Sequence, residues 1–146
     1  MPPKTPTKKP LRSGAPSFLP AVVGFTVAPG GRIGDGPTRF IVGKNEIVLW
    51  IIGNASNETI TVTLSEFSKK KHATDDKGTG PTPNPPPLIW LCTGSLTLAD
   101  KTAGFIAAIR NPAYEAGLFH DHYSYTIGIV GETFNVAWDP DGEIKP

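Results

Sequence analysis

From Phe18 onward the chain alternates between apolar runs and short turn signals. "FLPAVVGFTVAPGG" is apolar and closes on a Gly-Gly turn. "TRFIVGKNEIVLWIIGN" holds two runs, Arg39–Val42 and Glu46–Ile52, split by the turn-forming Gly43–Asn45. The second run is continuous rather than alternating, which predicts a central strand covered on both faces. "ETITVTLSEF" alternates strictly: Ile60, Val62 and Leu64 on one side, Thr59, Thr61 and Thr63 on the other. That period of two predicts a half-buried antiparallel strand. Further strands are expected near Leu88–Cys92, Ser95–Leu98 and Gly104–Arg110, followed by "HYSYTIGIVG" and "TFNVAWDPDGEIKP". Eight or nine short strands, with turn signals every 8–12 residues, predict an all-β fold: an antiparallel Greek-key β-sandwich.

Two segments break the pattern. Residues 1–17 are rich in proline and lysine with nothing apolar to bury, and read as a disordered tail ahead of a sandwich domain over 18–146. Ser68–Pro87 carries charges of both signs and a proline cluster, and reads as a long surface loop, a length unusual in compact domains unless functional or mobile. Sixteen glycines and sixteen prolines in 146 residues agree with short strands and turns rather than long helices. No window has the run of apolar residues that spans a membrane. No apolar stretch follows Met1, so the expected setting is cytoplasmic, in a bacterium.

Net charge is +1, but Lys4, Lys8, Lys9 and Arg12 supply four cations without an acid, leaving −3 on the remainder. With Lys69, Lys70 and Lys71 the tail could offer cations to an anionic partner. No aromatic residue interleaves them, so nucleic acid is not the expected partner.

"IVGKNEIVLWIIGNASNETITVTL" and "AGLFHDHYSYTIGIVG" together resemble two segments of the cupredoxin-like β-sandwich family. The resemblance extends over roughly Phe25–Pro146 and implies a copper-free member. A blue-copper site needs two imidazoles and a thiolate held together. The positions the resemblance assigns to the first histidine and the cysteine hold Ile60 and Ile127, no histidine follows His122, and the one methionine is Met1. No cofactor is expected.

His120 and His122 sit one residue apart in "FHDHYSY". Strand geometry sends both outward with Ser124 and Thr126, while Tyr123, Tyr125, Ile127 and Ile129 form the core side. Such a pair can take copper or zinc, although two ligands fall short of a closed structural site, which wants four. His72 in the loop is the one histidine left to add. Cys92, beside Trp90 and Leu91, reads as a small buried side chain, and as a nucleophile it could turn only to His120. "DPDGE", with Asp139, Asp141 and Glu143, is a fragment of a calcium loop and reads more simply as a tight turn. "GGRIGDG" lacks a following helix to bind phosphate and reads as a hairpin loop. Trp50, Trp90 and Trp138 are expected in the core.

The chemistry favours a non-catalytic binding or structural module that meets a protein partner or itself. The expected contact surfaces are sheet edges, the 68–87 loop and the tail. The alternative is a metal-binding, redox-related protein using His120 and His122.

Overall fold

The computed structural model describes residues 20–34, 38–80, 83–117 and 119–146. The basic tail, with Lys4, Lys8, Lys9 and Arg12, lies outside the described residues. The strands, in chain order, are β1 Ala21–Val27, β2 Phe40–Val42, β3 Ile47–Asn54, β4 Ile60–Lys69 and β5 Leu88–Trp90, then β6 Ser95–Leu98, β7 Ala103–Arg110, β8 Asp121–Val130, β9 Asn135–Trp138 and β10 Asp141–Ile144. They form two packed sheets: β1-β3-β7-β5 and β2-β10-β8-β4-β6, with β9 pairing to β8 beyond the end of β10. The all-β sandwich is as the pattern predicts. Two pairings depart from the antiparallel rule: β1 runs parallel to β3 and β2 parallel to β10.

Alternation builds the core. Val48, Trp50 and Ile52 of β3 face Ile60, Val62 and Leu64 of β4 and Tyr125, Ile127 and Ile129 of β8, all buried. Trp50 is the centre of an aromatic cluster, with Phe40 and Trp90 ring centroids at 5.6 and 5.7 Å. Its Nε1–H donates to Tyr125 Oη at 3.2 Å, so the indole is buried without an orphaned donor. At one end the buried Arg110 donates Nη1–H to the carbonyls of Asn111 and Tyr114, and Nη2–H to that of Lys145.

Local chemistry sets the turns. Asn45 takes φ 61° in the Gly43–Glu46 turn, the left-handed region that Asn tolerates better than most residues. Gly30 and Gly31 sit at φ 80° and 82°, and Val27 bridges Ile33 antiparallel, so this segment closes a hairpin loop as expected; 35–37 lie outside the described residues. In β4 the register against β8 shifts between Ser65 and Ser68. One extra residue there turns the following side chains over, so Phe67 enters the core and Lys70, just past the strand, reaches the outer side.

Several side chains differ from their expected places. Asp141–Ile144 is a strand rather than a turn, and Gly142 is there for close approach: a Cβ would come within 2.4 Å of the Phe40 ring. Cys92 is exposed, because β5 stops at Trp90 and the chain turns outward. Trp50 is fully buried and Trp90 partly so, but Trp138 on the short edge strand β9 is 41% exposed. The largest departure is β3: its inner face is buried, but its outer face is not covered by the described residues.

Candidate functional site

Two surfaces were candidates for function. The first is the charged corner around the two histidines, on the outer side of the second sheet. Glu143 of β10 lies directly across from His122 of β8, and Asp141 across from Ser124. Pairing between β2 and β10 brings Arg39 to the same corner, and the bulge in β4 brings Lys70. Glu143 pairs with Arg39, with His120 Nδ1 at 3.1 Å and with His122 Nδ1 at 3.3 Å. Burial pushes the Glu143 carboxyl up, but the His120 hydrogen bond, the Arg39 charge and the His122 charge together hold it below the ordinary carboxylate range. Lys70, with its side chain 3% exposed, pairs with Asp141.

The two histidines therefore do point outward, as predicted, but both turn Nδ1 to one carboxylate that Arg39 also occupies. Among the described residues no three His, Cys, Asp or Glu side chains are grouped to hold a metal ion. His72 sits in its own turn, its backbone N–H donating to Asp75 Oδ2 at 2.9 Å. The calcium-loop fragment is dispersed in the same way. Asp139 accepts from Thr126 Oγ1 and faces Lys77 at 3.6 Å, while Asp141 and Glu143 answer to Lys70 and Arg39. Cys92 is near the level of Leu64 on β4, through the Leu64–Gly94 hydrogen bond, while His122 is at the level of Lys70. Leu64 pairs with Ile127, seven residues along the chain from His120 or about 20 Å at the usual rise, so Cys92 does not pair with His120.

Lys69, Lys70 and Lys71 do not act as one cationic run. Lys70 is buried against Asp141, Lys69 faces Asp121 at 3.5 Å, and Lys71 is exposed. The loop after them folds back on the sheet, with Gly78 N–H donating to Ser124 Oγ at 2.8 Å. The sheet edges are short: β2, β5, β6 and β9 have three or four residues each, a common protection against strand addition, and among the described residues only β1 offers a longer neutral edge.

The second surface is the outer face of β1-β3-β7-β5. Register aligns its outward residues in rows. Ile47, Ile109 and Ile89 form one, and Val22, Leu49, Ala107 and Leu91 the next. Gly24, Ile51 and Phe105 form the third, and Thr26, Gly53 and Ala103 the last. None of these positions is charged, and Thr26 alone has a polar side chain. Of nine large hydrophobic side chains exposed among the described residues, five stand here: Val22 at 50%, Ile51 at 45%, Ile89 at 44%, Leu91 at 55% and Phe105 at 64%. A hollow of about 350 Å³ opens between Leu49, Ile51, Ala103, Gly104 and Phe105. Sequence reasoning passed over this face, although its signal was the unbroken "EIVLWII" run, apolar on both sides.

These two surfaces belong to an immunoglobulin-like β-sandwich. Three solved structures share its fold. The chaperone CupB2 of Pseudomonas aeruginosa matches at TM-score 0.55 and 12% identity, over 75% of this chain and 53% of that one. The E. coli chaperone DraB matches at 0.53 and 10%, over 75% and 53%. A chain of the CsuC–CsuE chaperone–tip adhesion subunit pre-assembly complex, from the archaic chaperone-usher Csu pili of Acinetobacter baumannii, matches at 0.52 and 8%, over 72% and 47%. The chain thus spans about half the length of these proteins, and at such identities the likeness is one of fold. No family model and no curated protein matches the sequence.

The cupredoxin resemblance is overturned. Two of the solved structures similar to this chain are chaperones and a third is a chain of a chaperone–adhesion subunit complex, not cupredoxins, and the geometry agrees: Ile60 and Ile127, which that resemblance would bring to one metal, are not neighbours. Ile127 pairs with Leu64, four residues along β4 from Ile60, or about 13 Å. The matching segments consist of residues that any half-buried strand uses, which is why they misled.

Proposed function

We propose that this protein is a non-catalytic binding or assembly module that engages another protein surface through the outer face of its four-stranded sheet. One observation carries the reading: that face is continuous, apolar and uncharged over four strands, and the described residues leave it in water. The 7, 8, 8 and 3 residues of β1, β3, β7 and β5 cover about 400 Å² at ordinary sheet spacings. Contiguous apolar patches beyond a few hundred Å² mark interaction sites on soluble proteins. The acids and bases of the charged corner are paired with one another, which supports the binding reading over a metal-based one. A fold shared with two chaperones and with a chain of a chaperone–subunit pre-assembly complex is consistent with this role.

Photo-cross-linking tests it. A benzophenone amino acid placed at Phe105 in the producing cell is expected to yield protein adducts. The same group at Thr63, outward on the opposite sheet, is expected to yield none. Equal yields at both positions, or none at Phe105, would refute the reading.

A further inference from the structure

We infer that the occupant of the apolar face is a second copy of this chain, packed sheet against sheet about a two-fold axis; this rests on the binding role proposed above. An uncharged face selects an uncharged partner, because any carboxylate or ammonium brought against it would be buried unpaired. Residues 1–12 are a poor occupant on that ground, since they carry Lys4, Lys8, Lys9 and Arg12 and the face presents no acid to receive them, and the seven uncharged residues 13–19 are too few to cover four strands. A second copy meets the requirement without any further condition.

The face is also complementary to itself. Phe105 projects from it, 64% exposed, beside the hollow bounded by Leu49, Ile51, Ala103 and Gly104. A two-fold axis near Phe105 places each ring in the other copy's hollow, the arrangement that an isologous interface demands. The small Gly53 and Ala103 in the adjoining row leave the backbones free to approach. Sheets packed face to face stand about 10 Å apart with strands within about 30° of one another, so two such faces interdigitate as the two sheets of one sandwich do. At about 400 Å² from each copy, the pair removes about 800 Å² from water, the size of a weak interface that forms and dissociates rather than a permanent one. The dimer is accordingly a four-layer β assembly with its polar faces outward.

Sedimentation velocity of the full chain across low- to high-micromolar concentrations tests this. The expected result is a species of twice the 15.5 kDa chain mass that dissociates on dilution. Phe105→Lys and Ile51→Lys are each expected to weaken association about tenfold or more, as central positions of an interface do, with unchanged β-sheet circular dichroism. Thr63→Lys, on the opposite face, is expected to leave it unchanged. A chain that stays monomeric throughout overturns the inference, as does a dimer that neither face variant disperses. The cross-link at position 105 separates the two failures. A monomer that still forms adducts there of some other mass keeps the binding role and loses the second copy, whereas a monomer with no adduct loses both.

Discussion

On the outer side of the six-stranded sheet, Thr61 and Thr63 reach across to Thr97 and Ser95 at 3.1 and 3.2 Å, and Ser124 is covered by the loop at Gly78. On the outer side of the four-stranded sheet, at the equivalent place, Ile51 and Phe105 stand in solvent. One face has hydroxyls, ion pairs and a covering loop; the other has hydrocarbon and, among the described residues, nothing over it. A sandwich needs only its inner faces apolar to fold, so apolar residues on an outer face are not there for the core of this chain. The asymmetry separates two roles within one domain: a face built for water and a face built for a partner.

The sharpest way to break that division is to compare positions on either side of β3. Trp50→Ala, on the inner side, removes a fully buried indole and is expected to cost about 3–5 kcal/mol by chemical denaturation. Ile51 is its neighbour on the outer side. A loss at Ile51→Thr as large as that at Trp50 would mean the outer face is folded core and the division is false.

Next in size is the charged corner. Glu143→Gln leaves Arg39, His120 and His122 facing a neutral amide, at an expected cost of about 1–2 kcal/mol at neutral pH, moderated because Arg39 and His120 are partly in solvent. The folded protein holds the Glu143 carboxyl below its ordinary 4.5. Its contribution is therefore fully present above that value and is lost as pH falls through the lowered folded value. Denaturation midpoints measured from neutral to acid pH should converge for the wild type and Glu143→Gln at the acid end. A gap that widens on acidification would mean the carboxylate does not stabilise the corner.

Smaller still is the hydroxyl ladder. Thr61→Ala on the polar face is expected to cost about 0.2–1 kcal/mol, the worth of one cross-strand pair. Smallest is Ile51→Thr under conditions where the chain is monomeric, expected within about 0.5 kcal/mol of wild type. The same change is expected to weaken association at higher concentration. A variant that shifts monomer stability and leaves association alone would reverse the roles assigned to the two faces.

Much of this architecture was legible in the chain. The strict alternation of Ile60, Val62 and Leu64 with Thr61 and Thr63 named both sides of β4, because side chains in a strand have a period of two. The same rule placed His120 and His122 outward and Tyr123 and Tyr125 inward. It failed at "DPDGE", where turn-forming residues occupy a strand because Phe40 lies over Gly142, a contact made across 102 positions of sequence. It failed at Cys92, whose apolar neighbours suggested burial although β5 ends two residues earlier. It also could not see that Lys70 would be buried, since a one-residue bulge turned it toward Asp141.

What the sequence determined alone was local: which residues form strands, which side of each is apolar, and that β3 carries hydrocarbon on both sides. Periodicity encodes these, and periodicity needs no knowledge of neighbours. What only the tertiary structure decided was which apolar sides meet. Trp50 found Phe40, Trp90 and Tyr125 within this chain, whereas Ile51, one residue on, found no covering layer among the described residues. The physical reason is that burial is a property of pairs of surfaces: a strand can specify a need to be covered, but only the folded chain shows whether it covers that strand itself.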